Sequence, residues 1–160
     1  MVFIISLVYS LTLNNFKFSS SIKSSSITLE DLPLYLDKYT FSDKLELICL
    51  DDAKKCILKI DGNIRENIDG LFSEKPIVYE YNKDLNIIYY DDIELKQLDR
   101  YEVSFKYTIN KYKKASDIIV EVNNKIYIFN SIYKKALILE SSVDVYDYFD
   151  NVNKELKDAF

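Results

Sequence analysis

From Lys44 to Leu139, apolar side chains recur at every second position in short runs, and turn-forming residues interrupt the runs. This rhythm admits few folds. Period-two alternation sends one set of side chains to a core face and the next set to the opposite face of a sheet. Breaks of a few residues can join only antiparallel neighbours. In RYEVSFKYTI, Tyr101, Val103, Phe105, Tyr107 and Ile109 share one parity, while Glu102, Ser104, Lys106 and Thr108 take the other. Read as one strand, the segment would set those two groups on opposite faces. LELICL and CILKI flank Asp51-Asp52-Ala53-Lys54, and DIIVEV and KIYIFN flank Asn123-Asn124. PIVYEY and LNIIYY flank Asn82-Lys83-Asp84, so three hairpins are expected. Asp61-Gly62 is the strongest turn pair in the chain. KALILES reads as a further strand, and DDIELKQLD fits no single element.

Helical periodicity is expected in three places. Asp31 can cap a short helix near 32–39, with Pro33 in its first turn and Leu32 and Leu36 on one face beside Tyr35 or Tyr39. NIRENIDGLF reads as a short helix stopped by Gly70. Residues 142–159 carry Val145, Phe149, Val152, Leu156 and Phe160 as one apolar stripe. Ser142 is the expected cap there, and Asp144, Asp147 and Asp150 lie towards the positive end of the helix dipole. The expected fold is α+β: about eight or nine short, hairpin-connected strands in a predominantly antiparallel sheet, with helices near 32–39 and 142–159. The length of 160 residues suits a single domain.

The first residues admit two readings. In residues 2–13, VFIISLVYSLTL, the residues Phe3, Ile5, Leu7, Tyr9, Leu11 and Leu13 alternate with Ser6, Ser10 and Thr12, as in a half-buried strand. The same run has the length of a signal-peptide apolar region, although it lacks a basic start and an A-x-A-like cleavage site. It is too short to span a bilayer as a helix. KFSSSIKSSS, at 17–26, reads as a flexible Ser-rich connector. An intracellular, cytoplasmic protein follows from the strand reading, and a secreted or lumenal one follows if residues 1–18 are a leader.

The side-chain inventory narrows the chemistry. With no His, the chain offers no imidazole base and no His-containing zinc site, and two Cys are too few for a four-Cys one. Two Gly, far apart, cannot build a phosphate-cradling loop. No cofactor is expected, and a non-enzymatic role is. The net charge of −5 does not favour nucleic acid as a whole. Arg65 and Arg100 are the two arginines among 21 basic residues, which argues against sequence-specific DNA reading. The abundance of Lys, Asn, Ile and Tyr fits an AT-rich genome, such as a viral, parasitic or archaeal one.

Four constellations stand out. Cys49 and Cys56 should face each other across a hairpin, either as a disulfide or, in a reducing compartment, as small core residues. Asp91, Asp92 and Glu94 could hold a divalent cation, or simply be solvated turn residues. Lys106, Lys111, Tyr112, Lys113 and Lys114 interleave cations with aromatic rings, and Tyr133, Lys134 and Lys135 form a smaller copy. Such a surface suits single-stranded RNA, although a Lys-rich hairpin tip also keeps sheet edges apart. Finally, Tyr79, Tyr81, Tyr89, Tyr90, Tyr107 and Tyr127 could line one sheet face as partner-binding aromatics, or pack into an ordinary core.

The order of ITLEDLPLYLDKYTFSDKLEL, IVYEYNKDLNIIYY and KKALILESSVDVYDYF resembles that of archaeal tRNA-splicing endonuclease subunits. A catalytic His, a Gly-rich core motif and a long helix before KKALIL are missing, so the resemblance implies a non-catalytic subunit and assigns no residue a role. Three expectations follow. The first is an interaction or structural subunit binding another protein or its own copy. The second is a non-catalytic accessory subunit of an RNA-handling assembly, using the Lys/Tyr patch. The third is a secreted β-domain with one disulfide.

Overall fold

The computed structural model describes residues 27–96 and 99–158, so the expected N-terminal strand and the Ser-rich connector lie outside the described residues. The fold is α+β and mostly antiparallel. A short helix, α1 (Leu32–Leu36), precedes ten strands: β1 (Lys44–Leu50), β2 (Lys55–Ile60), β3 (Asn63–Asp69), β4 (Ile77–Glu80), β5 (Ile93–Lys96), β6 (Asp99–Tyr101), β7 (Val103–Asn110), β8 (Ile118–Val122), β9 (Lys125–Phe129) and β10 (Leu137–Leu139). Helix α2 (Ser142–Asp158) follows them. One four-stranded sheet has the order β3-β2-β1-β7, a second has β10-β9-β8-β4, and β5-β6 form a separate pair.

The turn chemistry explains the hairpins. Asp61 and Gly62 take φ of 50° and 81°, and Asn123 and Asn124 take 52° and 56°. Positive φ at both central residues matches the right-handed twist of the flanking strands. The main core lies between the two large sheets. Leu45, Leu47, Leu58, Phe105 and Tyr107 from the first meet Val78, Val120, Val122 and Phe129 from the second, with Leu32 and Leu36 of α1 joining them. The far face of the second sheet, with Ile119, Ile126 and Ile128, is covered by Val145, Tyr148 and Phe149 of α2. On the far face of the first sheet, Ile48, Leu50, Ile57 and Val103 pack beneath Ile93, Leu95 and Tyr101.

Several sequence expectations are corrected. NIRENIDGLF is not a helix: residues 63–69 are β3, paired with β2 through the Asp61-Gly62 turn. RYEVSFKYTI is not one uniform strand. Cys49 pairs with Phe105, but Leu50 pairs with Val103, leaving Ser104 as an extra residue in a bulge. Val103 therefore faces the β5-β6 side while Phe105 faces the inter-sheet core. The Ser104 hydroxyl donates to Cys49 O at 3.1 Å. LNIIYY forms one isolated bridge, Tyr79 with Ile87, rather than a full strand. The α2 cap is Ser141, not Ser142: Ser141 Oγ accepts from Asp144 N and donates to Asp144 Oδ2 at 2.8 Å, a reciprocal arrangement that satisfies an orphan amide. Asp31 makes no side-chain cap for α1. Its own amide donates to Thr28 Oγ1, and its carboxylate accepts from the Thr28 hydroxyl.

Candidate binding groove

The described residues enclose a groove of about 260 Å³ at one end of the sandwich. Three segments build it: α1 with Phe41, the β7–β8 loop and the β9–β10 loop. Helix α1 buries Leu32 and Leu36, which turns Pro33 and the half-exposed Leu34 towards the groove. Tyr107 and Ile109 of β7, with Ala115, form its apolar floor.

The two loops are built alike. Each begins with an Asn whose side chain folds back on the backbone, a local turn that Asn favours. Asn110 Oδ1 accepts from Tyr112 N at 2.9 Å and from Lys114 N at 3.1 Å. Asn130 Oδ1 accepts from Ile132 N at 2.9 Å. Each then runs Tyr-Lys-Lys-Ala, at 112–115 and 133–136. Ser131 N donates to Asp117 Oδ1 at 2.6 Å, tying the second loop to the end of the first. The β9–β10 loop is also fastened to the start of α1. Lys135 Nζ lies 2.7 Å from Asp31 and 3.6 Å from Glu30, and Ala136 N donates to Glu30 O at 2.9 Å. The hydrogen bond from Lys135 holds the Asp31 carboxyl below its ordinary range, and Asp31 in turn holds the Lys135 ammonium above its own.

On the two loops, apolar side chains stand in solvent. Ile132 is 83% exposed and Tyr112 78%. Lys113 Nζ sits 4.0 Å from the centroid of the Phe41 ring, and Lys111 Nζ 5.1 Å from that of Tyr112, distances at which a cation is attracted to a ring face. Lys111, Lys113, Lys114 and Lys134 make no ion pair among the described residues. Asp37 is the single carboxylate lining the groove among those residues.

The structure brings Lys113 of the expected basic patch to the groove, and Tyr133 and Lys134 of its smaller copy, with Lys111, Tyr112 and Lys114 in the same loop as Lys113, but Lys106 is elsewhere. It lies on the outer face of the first sheet, 3.1 Å from Glu46, which also holds Lys44 at 3.2 Å. Burial pushes the Glu46 carboxyl up, and the hydrogen bonds from Lys106 and Lys44 outweigh it and hold the carboxyl below its ordinary range.

The expected aromatic face does not exist as one surface. Tyr107 and Tyr127 belong to the inter-sheet core. Tyr79 and Tyr81 pack on the opposite side, beneath α2. The Tyr79 hydroxyl donates to Glu121 at 2.6 Å, and burial with that bond pushes its phenol up to about 12. Tyr81 shares a 2.8 Å hydrogen bond with Tyr148 of α2 and accepts from Asn130 Nδ2 at 2.6 Å. Tyr90 is half-buried and donates to Lys106 O, whereas Tyr89 is largely exposed.

Cys49 and Cys56 are registered opposite each other and joined by a disulfide. Asp91, Asp92 and Glu94 do not converge: Glu94 lies 3.9 Å from Arg100, and among the described residues no group of three metal-ligating side chains could hold an ion. No helix among those residues is long and apolar enough to cross a membrane.

Sequence reasoning missed Leu34, Phe41 and Ile132 as groove residues. It also missed the cluster in which Tyr35 and Tyr39, their hydroxyls 2.8 Å apart, both donate to Glu66 Oε1 and so tie α1 to β3. Burial, followed by the bond to Glu66, raises the Tyr39 phenol above its ordinary range. The signal for the groove was the second Asn-led Tyr-Lys-Lys-Ala run, which marks two loops of one build. No family model, curated protein or solved structure matches the chain, so the resemblance to endonuclease subunits gains no support from them.

Proposed function

We propose that this chain is a non-enzymatic protein-binding module whose contact surface is the groove between α1 and the two Asn-led loops. The observation that carries this reading is the exposure of Ile132 in the wall of a preformed apolar hollow, with Tyr112 exposed on the loop that also supplies Lys113 to it. A solvent-exposed aliphatic and an aromatic side chain around a hollow are the anchors that dominate protein interfaces. The fastening of the β9–β10 loop to Asp31 and Glu30 supports a surface that is ordered before binding, which lowers the entropic cost of association. Capture from the native source by immobilised wild type and by an Ile132→Asp, Tyr112→Ser double variant tests it. The wild type should retain a protein that the variant loses. Retention of the same proteins by both would sink the reading.

One observation favours an RNA-handling role instead: four lysines around the groove without ion-pair partners among the described residues. Against it, Lys106 is held by Glu46 and Lys135 by Asp31, and Lys111 lies over the ring of Tyr112 that a base would need. A filter-binding titration with single-stranded RNA across salt separates the two, because phosphate binding weakens steeply as salt rises. The Cys49–Cys56 bond supports an oxidising compartment, where such bonds persist. Intact mass of the native protein, before and after reduction and alkylation, tests that assignment.

A further inference from the structure

The two Asn-led loops bring the same residue to the groove. In each Tyr-Lys-Lys-Ala run the first lysine, Lys113 in one loop and Lys134 in the other, lines the hollow, and both are exposed. The carboxylates nearby are mostly engaged. Asp31 and Glu30 hold Lys135, and Asp117 takes the Ser131 amide. That leaves Asp37 alone against Lys113 and Lys134 in the lining, with Lys111 and Lys114 beside them on the loop. Lys113 is held there at a cost. Its φ is +63°, a backbone region that strains a lysine and suits a glycine. The turn itself makes no use of the lysine side chain. Asn110 closes it through the backbone amides of Tyr112, Lys113 and Lys114. What the side chain adds is a positive charge at the groove, over the Phe41 ring.

We infer that the groove takes a short acidic segment of a partner protein, with one large apolar side chain seated on Tyr107 and Ile109 between flanking carboxylates that pair with Lys113 and Lys134. A volume of about 260 Å³ lies just below the range of about 300–1,000 Å³ typical of drug-sized ligands, so it suits an anchor side chain rather than a folded element. The rings of Phe41 and Tyr112 already carry Lys113 and Lys111 over their faces. The surface therefore offers ammonium groups to a carboxylate more readily than ring faces to a nucleic-acid base. The chain as a whole carries a net charge of −5, which disfavours an acidic segment elsewhere and steers it to this end. This inference rests on the reading of the groove as a protein-binding surface and names the chemistry of its partner.

Selection of random short peptides, displayed on phage, against the immobilised full chain tests it. Enriched peptides should carry one Leu, Ile, Phe or Tyr with Asp or Glu on both sides. The tightest of them, synthesised with a fluorescent label, should bind in anisotropy titrations with an affinity that falls as salt rises. Lys113→Glu with Lys134→Glu should weaken that binding by about tenfold or more. Lys113→Gly should also weaken it, without lowering the thermal midpoint, because glycine is unstrained at this φ; the loss is then of contact and not of folding. The absence of any enriched peptide overturns the inference, as do enriched peptides no richer in Asp and Glu than the library. Binding indifferent to salt, or undiminished by the double charge reversal or by Lys113→Gly, overturns it too. So does single-stranded oligouridylate that displaces the peptide at equal concentration, which would point to phosphate rather than carboxylate. Apolar peptides without acidic residues, lost on Ile132→Asp, would overturn the acidic partner yet leave the groove a protein-binding surface. That broader reading stands or falls separately, on the capture experiment with Ile132→Asp and Tyr112→Ser.

Discussion

Glu46 is a carboxylate only 6% exposed, held between Lys44 and Lys106 on the outer face of the first sheet. Its carboxyl is depressed in the folded state, so the pair stabilises the fold at pH above the unfolded carboxylate range. That stabilisation fades as pH falls through the lower, folded value. Glu46→Gln should cost about 1 kcal/mol at neutral pH, because both lysines are substantially exposed and solvent screens them. The difference between variant and wild type in urea denaturation should shrink as pH drops below 4, roughly the ordinary carboxylate range. Gly62 makes a simpler prediction. Its φ is +81° and no atom would crowd an added Cβ, so Gly62→Ala meets only the backbone penalty of the left-handed region, about 1 kcal/mol. The Asp61-Gly62 turn was legible from two residues, since that pair has one strongly preferred geometry. The place of Lys106 was not legible. Its neighbours in sequence include Lys111 to Lys114, but its neighbour in space is a glutamate sixty positions earlier in the chain.

At the scale of the element, α2 separates two neighbouring serines. Ser141→Ala should lose about 1 kcal/mol of stability, because Ser141 Oγ accepts from the Asp144 amide. Ser142→Ala, one residue on, should change the thermal midpoint little. The helix itself was plain in the sequence, since its apolar stripe runs for several turns. Its exact start was hidden because both serines satisfy the same pattern. Strand β3 was misread for a physical reason. Ile64 and Ile68 are four apart and Gly70 follows, which imitates a helix and its terminator. In the strand, Arg65 is an extra residue in a bulge, so Glu66 and Ile68 share a face while Ile64 turns to the other, and the half-buried Glu66 breaks the apolar alternation that would have identified the strand. Its carboxylate is satisfied there by Tyr35 and Tyr39, a pairing of α1 with β3 that no local pattern announces. The groove was half legible for the same reason: its two loops carry a visible motif, but the helix opposite them is brought there by tertiary packing.

Across the whole molecule, the Cys49–Cys56 bond closes a short loop within one hairpin, with a sequence separation of 7. Loop-closure entropy for so small a ring gives about 2 kcal/mol of stabilisation. Reduction, or Cys49→Ser with Cys56→Ser, should therefore lower the unfolding free energy by about that amount, read as a lower midpoint in urea denaturation. The bulge at Ser104 has wider reach. Ser104→Ala forfeits one hydrogen bond to Cys49 O and should cost about 1 kcal/mol. Deleting Ser104 should leave the fold in place, as read by retained cooperative thermal unfolding, because Phe105 would still stand opposite Cys49 and Val103 opposite Leu50. The extra residue acts on side-chain direction as an inserted base acts on a reading frame. Upstream of it the odd-numbered Tyr101 and Val103 are read onto the outer face, and downstream the odd-numbered Phe105, Tyr107 and Ile109 onto the inner one. Removing it would leave Val103 and Phe105 consecutive and still on opposite faces, whereas removing Lys106 would set Tyr107 next to Phe105 and turn one of the two out of the core. This stretch of chain should thus tolerate the loss of its bulge residue far better than the loss of any residue beside it.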